Sequence, residues 1–194
     1  MEFQSLNQIF YDRVKESKDK PFLWSKKNEI WNSVTWGEVT LKVEELASGL
    51  KFHGIKPGDR VVIVSENRPE WIIADLAITL IGGITVPAYT TNTEDDHQYI
   101  IKHSEAKAVI ASSNILANRL ALAITRTKIC KLLITMDDYN GFEPEDLKII
   151  TFDEVVSFGR NTIESSSEHL DRIQPDDVSC IIYTSGTGGR PKGV

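Results

Sequence analysis

The sequence predicts an α/β fold in which a mostly parallel sheet is covered on both faces by helices. Two observations carry this. Short β-branched runs alternate with amphipathic helical stretches along most of the chain. Helix-start and helix-stop residues fall at the junctions between them. Strands that alternate with helices imply right-handed βαβ units, and hence parallel pairing.

The elements follow in order. A first helix runs through Leu6, Ile9, Phe10 and Val14. Extended pieces at 22–24 and 30–34 flank a turn at Lys26, Lys27 and Asn28. Thr35 and Glu38 make a capping box: the hydroxyl accepts a backbone N–H while the carboxylate reaches back. The helix it opens carries Val39, Val43, Leu46, Ala47 and Leu50 on one face and ends at Gly54. Residues 60–65 are a β-branched strand. Asn67 and Pro69 signal a helix start, and 71–80 is so apolar that burial on several sides is expected. Gly82 and Gly83 stop that helix. A strand at 84–88, a helix from its Thr93 cap to about His103 and a strand at 107–111 follow. A helix at 115–125, a strand at 130–135 and a last apolar strand at 178–183 complete the series. Trp71 and Tyr89 read as core residues.

Composition narrows the function. With 194 residues the chain fits one domain, and 41% hydrophobic with 26% charged residues is ordinary for a soluble protein. A net charge of −6 argues against a nucleic-acid partner, which needs a basic surface to displace counterions. Between Asp137 and Asp177 stand twelve acidic residues against three basic ones, so this stretch reads mostly as solvated surface and loops around short elements. The two cysteines, Cys130 and Cys180, form no metal or disulfide pattern and suit a reducing compartment. No His pair has metal-ligand spacing, so no metal site is expected. The first ten residues lack the basic head and apolar core of a signal peptide. The longest uncharged run, 76–93, is broken by Gly82, Gly83 and Pro87 and reads as helix, turn and strand rather than a membrane span.

The chemistry concentrates at residues 183–194, which hold four of the twelve glycines. Gly186, Gly188 and Gly189 allow positive φ and a close approach of backbone N–H groups to a ligand. Thr184, Ser185 and Thr187 add hydroxyl donors, and Arg190 and Lys192 add two cations. Hydroxyls, bare N–H groups and cations together suit a polyphosphate, more than a Gly-rich surface turn needs. The P-loop pattern of ordinary NTPases does not fit, because Lys192 follows Pro191 and precedes Gly193.

This segment resembles the Gly-rich loop of the adenylate-forming superfamily of acyl-CoA synthetases, luciferases and peptide-synthetase adenylation domains. It departs at Gly188, where Thr is common, losing one hydroxyl and gaining flexibility. The runs at 34–39, 58–63 with 66–71, 82–89 and 100–110 are similar to the family's upstream elements, and within the family 66–71 and the run through 86–93 and 103–109 look most like long-chain fatty acyl-CoA synthetases. The resemblance implies a ligase that uses ATP, Mg²⁺ and coenzyme A. A carboxylic acid, a fatty acid here, becomes an acyl-adenylate and then a thioester. It also implies that residues 1–194 are an incomplete N-terminal portion of the AMP-binding domain, ending in the phosphate-binding loop and lacking the C-terminal part and its catalytic residues. Thr184, Ser185, Gly186, Thr187, Gly188, Gly189, Arg190 and Lys192 would then hold the β- and γ-phosphates. The location implied is cytoplasmic, free or peripheral to a membrane. Other readings are an aryl-CoA ligase, a peptide-synthetase adenylation domain, or a non-enzymatic remnant of the family.

Overall fold

The computed structural model describes residues 4–161, 170–184 and 190–194. Helix α1 (Leu6–Ser17) opens on a capping box between Ser5 and Gln8. Strands β1 (Pro21–Lys27) and β2 (Ile30–Thr35) form an antiparallel hairpin. Its turn is at Asn28 and Glu29, both at positive φ (51° and 63°), one residue later than expected. A two-residue turn of this hand matches the twist of the flanking strands. Helix α2 (Trp36–Phe52) begins at the Thr35–Glu38 capping box.

The body is a run of βαβ units: β3 (Arg60–Val64), α3 (Pro69–Leu80), β4 (Ile84–Ala88), α4 (Glu94–Ser104), β5 (Ala108–Ala111), α5 (Asn114–Thr127), β6 (Leu132–Thr135), β7 (Lys148–Thr151) and α6 (Phe152–Arg160). The five strands pair in parallel in the order β4-β3-β5-β6-β7. Alternate residues of each strand face opposite sides. Val61, Ile63, Ile110 and Ile134 pack with α2, α3 and α6. Val62, Val64, Val109 and Leu133 pack with α4 and α5. Both faces are thus covered, which is why these strands read as unbroken apolar runs. No helix among the described residues is long and apolar enough to cross a membrane.

Three expectations need correction. The short elements of the acidic stretch belong to the core rather than to solvated surface: β7 is the fifth strand of the sheet, and α6 buries Phe152, Val155 and Val156 against its face. Tyr89 lies just beyond β4 and is 73% exposed, so it is not core here. The apolar strand expected at 178–183 is reduced to one parallel bridge, Thr85 to Cys180, with Val178 and Ile182 exposed. The reason lies in β4. The Ile84 N–H points inward to the Asp59 carbonyl, so Thr85 and Pro87 point outward. Thr85 donates to the Ser179 carbonyl and accepts from the Ile181 N–H, at 3.0 and 2.9 Å. The next outward position is Pro87, which has no N–H to continue the ladder.

Candidate functional site

The chain beyond the Thr85–Cys180 bridge runs parallel to β4, toward the carboxyl ends of the strands. It then forms a narrow neck. Strand β8 (Tyr183–Thr184) pairs antiparallel with β9 (Lys192–Gly193), setting Thr184 opposite Lys192 and Tyr183 opposite Gly193. Ile182 and Val194 exchange two backbone hydrogen bonds of 2.8 and 2.9 Å below them. Thr184 and Lys192 therefore leave the body side by side, both exposed. Lys192 takes part in no ion pair among the described residues. Ser185, Gly186, Thr187, Gly188 and Gly189 lie outside the described residues.

The neck rests on α4. The Tyr99 hydroxyl donates to the Pro191 carbonyl at 2.9 Å. The Arg190 guanidinium carbon lies 5.2 Å from the centre of the Tyr99 ring. His103, one helical turn on, places Nδ1 2.8 Å from the Tyr183 hydroxyl. Tyr99 and His103 stack on each other, with ring centres 5.2 Å apart. Burial, and then the neighbouring Tyr99, push the Tyr183 hydroxyl above its ordinary pKa, so it stays protonated. Sequence reasoning missed Tyr99 and His103. Their signal was an aromatic pair four residues apart on one helix face, but a pair of that spacing does not name a partner eighty residues away.

A second polar cluster spans the carboxyl ends of β3, β5 and β6. Pro69 opens α3 as expected, but the N-cap is Arg68 rather than Asn67, and it makes no side-chain cap bond. Arg68 instead pairs with Glu70 and Asp137, each at 2.9 Å, and donates to the Ser112 carbonyl at 3.1 Å. Glu66 accepts a hydrogen bond from the Ser112 hydroxyl, which holds its carboxyl below the usual range. In an open α/β sheet, ligands bind where strand order reverses, here between β3 and β5. That crevice carries Arg68 and its carboxylates, while the neck formed by β8 and β9 follows the segment that bridges to the outer edge of β4.

No described His, Cys, Asp and Glu side chains cluster in a group that could hold a metal. A cavity of about 690 Å³ opens beside Ser5, Pro57, Thr79, Gly83 and Val178, and none of the described loop residues lines it. Burial pushes the Cys130 thiol up to about 11, so it is held as the neutral thiol at neutral pH.

The sequence profile of the AMP-binding enzyme family matches residues 10–194. The chain belongs to this family. Over 166 residues it is 31% identical to peroxisomal long chain acyl-CoA synthetase 7 of Arabidopsis thaliana, covering 83% of this chain and 23% of that protein. A long-chain-fatty-acid–CoA ligase of Mycobacterium tuberculosis is 30% identical over 176 residues, with coverage of 84% and 26%. The chain spans about a quarter of the length of these relatives. Among solved structures, an anthranilate CoA ligase in complex with anthranoyl-AMP superimposes with a TM-score of 0.80 at 19% identity, over 99% of this chain and 34% of that one. At that identity the likeness shows the fold. The chain is thus a relative of adenylate-forming ligases, and its five-stranded sheet matches the N-terminal domain of such enzymes.

Proposed function

We propose that residues 1–194 form the N-terminal portion of the AMP-binding domain of an acyl-CoA ligase, and that 184–192 grip the β- and γ-phosphates of ATP. In this reading a carboxylate oxygen attacks the α-phosphorus, the bond to the bridging oxygen breaks, and pyrophosphate leaves. The thiol of coenzyme A then displaces AMP from the acyl-adenylate. The single observation that carries the reading is the neck: a hydroxyl and a cation, Thr184 and Lys192, leave the body side by side at the mouth of a Gly-rich segment. A lysine held on a paired strand with its ammonium in solvent is a point charge available to phosphate. Ser185, Gly186, Thr187, Gly188 and Gly189 would supply the N–H groups and further hydroxyls, with Arg190 alongside.

The fatty-acid substrate is supported by the two long-chain relatives. Mg²⁺, which neutralises phosphate charge in such reactions, and coenzyme A come with the family reading, and neither is assigned a residue of this chain. A cytoplasmic location, free or peripheral to a membrane, goes with it.

The test is pyrophosphate exchange in a chain long enough to be active. Lys192→Ala should slow exchange by about ten- to a hundredfold, the scale of one charge-assisted hydrogen bond of ~1.5–3 kcal/mol. Unchanged exchange would remove Lys192 from the site. A longer reading frame that carries the neck yet shows no exchange with any acid would favour the non-enzymatic remnant.

A further inference from the structure

We propose that Tyr99 is a positioning residue that divides the labour between the loop's two cations: it seats Arg190 on its ring and presents Lys192 alone to phosphate. The inference rests on the phosphate-loop reading above and concerns how the loop is held.

The geometry is specific. The Arg190 guanidinium lies within the range of an attractive contact with the ring face, 5.2 Å from its centre. The hydroxyl of the same ring donates to the carbonyl of the next residue, Pro191, at 2.9 Å. Proline fixes φ, so holding its carbonyl fixes the peptide plane that leads into Lys192. Lys192 is then gripped from the other side by its pairing with Thr184. One side chain on α4 therefore holds two consecutive residues and orients a third. The opposite strand of the neck is tied to the same helix face by His103 and Tyr183, at 2.8 Å. A tyrosine ring supplies both a face and a donor, and phenylalanine or leucine would supply one or neither.

Two consequences separate this from a merely structural contact. Arg190 and Tyr99 should be energetically coupled, because each acts through the other. Arg190 should also matter less to phosphate than Lys192, although the sequence alone gives both the same role.

The test uses the 194-residue chain with inorganic pyrophosphate as probe, titrated by calorimetry. Each variant's thermal midpoint is recorded, and amide exchange is followed in the peptide from Ile181 to Val194. Tyr99→Phe keeps the ring and loses the donor, so affinity should fall about fivefold with little change in midpoint. Tyr99→Leu should fall further. Arg190→Met should weaken binding no more than Tyr99→Leu, and the double variant should be no weaker than Tyr99→Leu alone. Lys192→Met should give the largest single loss. Two results overturn the proposal: unchanged affinity in both Tyr99 variants, or a full further loss from Arg190→Met in the Tyr99→Leu background. If the unaltered chain binds no pyrophosphate, the phosphate reading fails, and amide exchange decides the clamp separately. Faster exchange in 181–194 on Tyr99→Leu sustains it, and unchanged exchange overturns it.

Discussion

His97 is the residue whose chemistry the fold changes most. It lies near the start of α4, fully buried, and neither ring nitrogen has a partner among the described residues. Burial, and then the positive charge of Arg119, push its pKa down to about 4 from 6.5. The unfolded chain therefore takes up a proton that the folded chain refuses. Stability is undiminished above the unfolded value and drains away as pH falls from 6.5 toward about 4. The loss by pH 5 is on the order of 2 kcal/mol. His53, lowered by burial and then by Lys148, adds a smaller change of the same sign. Urea midpoints at pH 7 and pH 5 check this: His97→Leu should lose most of the difference. An equal pH response in the variant would assign the effect elsewhere. The carboxylates of the capping boxes, Glu38, Asp96 and Glu154, are held low by their Thr partners and act only at more acid pH. The sequence sets His97 on the face of Ile100 and Ile101, three and four residues on, but that spacing does not show that both ring nitrogens go unpartnered among the described residues.

At the scale of elements, the least legible feature is the contact between α2 and α6. A Cβ on Gly159 would fall 1.7 Å from the Glu45 carbonyl oxygen, and one on Gly49 would fall 2.1 Å from that of Val155. These glycines let two helices touch backbone to backbone, which offsets the cost of glycine inside a helix. The buried Glu45 completes the contact by pairing with Arg160 at 2.8 Å. Gly159→Ala should force the helices apart and destabilise the protein by about 1–3 kcal/mol, as overpacking does, read from denaturant unfolding. The central elements were legible because their signals are local: the Thr35 and Thr93 capping boxes and the apolar strands need no distant partner. The box at Thr151 and Glu154 is as good, yet it was hidden among acids that read as solvated charge. Strand β7 has only two apolar residues, Ile149 and Ile150, where the equally short β5 and β6 are apolar almost throughout. The strand expected at 178–183 failed for a non-local reason, the outward-facing Pro87 of a neighbour.

For the whole molecule, the fold class and family were readable, whereas the holding of the loop was not. A glycine cluster announces itself in sequence, but the clamp joins Tyr99 to residues more than ninety positions on. The chain spans 23–26% of its two long-chain relatives, and it exposes Tyr89, Ile115, Val178 and Ile182. Residues 1–194 alone are therefore expected to form no acyl-adenylate and to self-associate. Purified chain with ATP, Mg²⁺, coenzyme A and fatty acids should release no pyrophosphate above a blank, and size-exclusion chromatography should show concentration-dependent species. Turnover abolished by Lys192→Ala would mean that this portion holds a complete site.

The strand order also sets a timetable. Synthesis delivers β4 early, and β3 then pairs on its other side with β5 while the sheet grows away toward β7. The segment that bridges to β4 arrives roughly ninety residues after β4 is finished. At ~5–20 residues per second, that edge waits about 5–20 seconds on the ribosome with its outward groups unpaired. Pro87 leaves only Thr85 as an outward donor within the strand, so a stray chain finds little to pair with. The same proline that confines the returning segment to one bridge guards the nascent edge until it comes back.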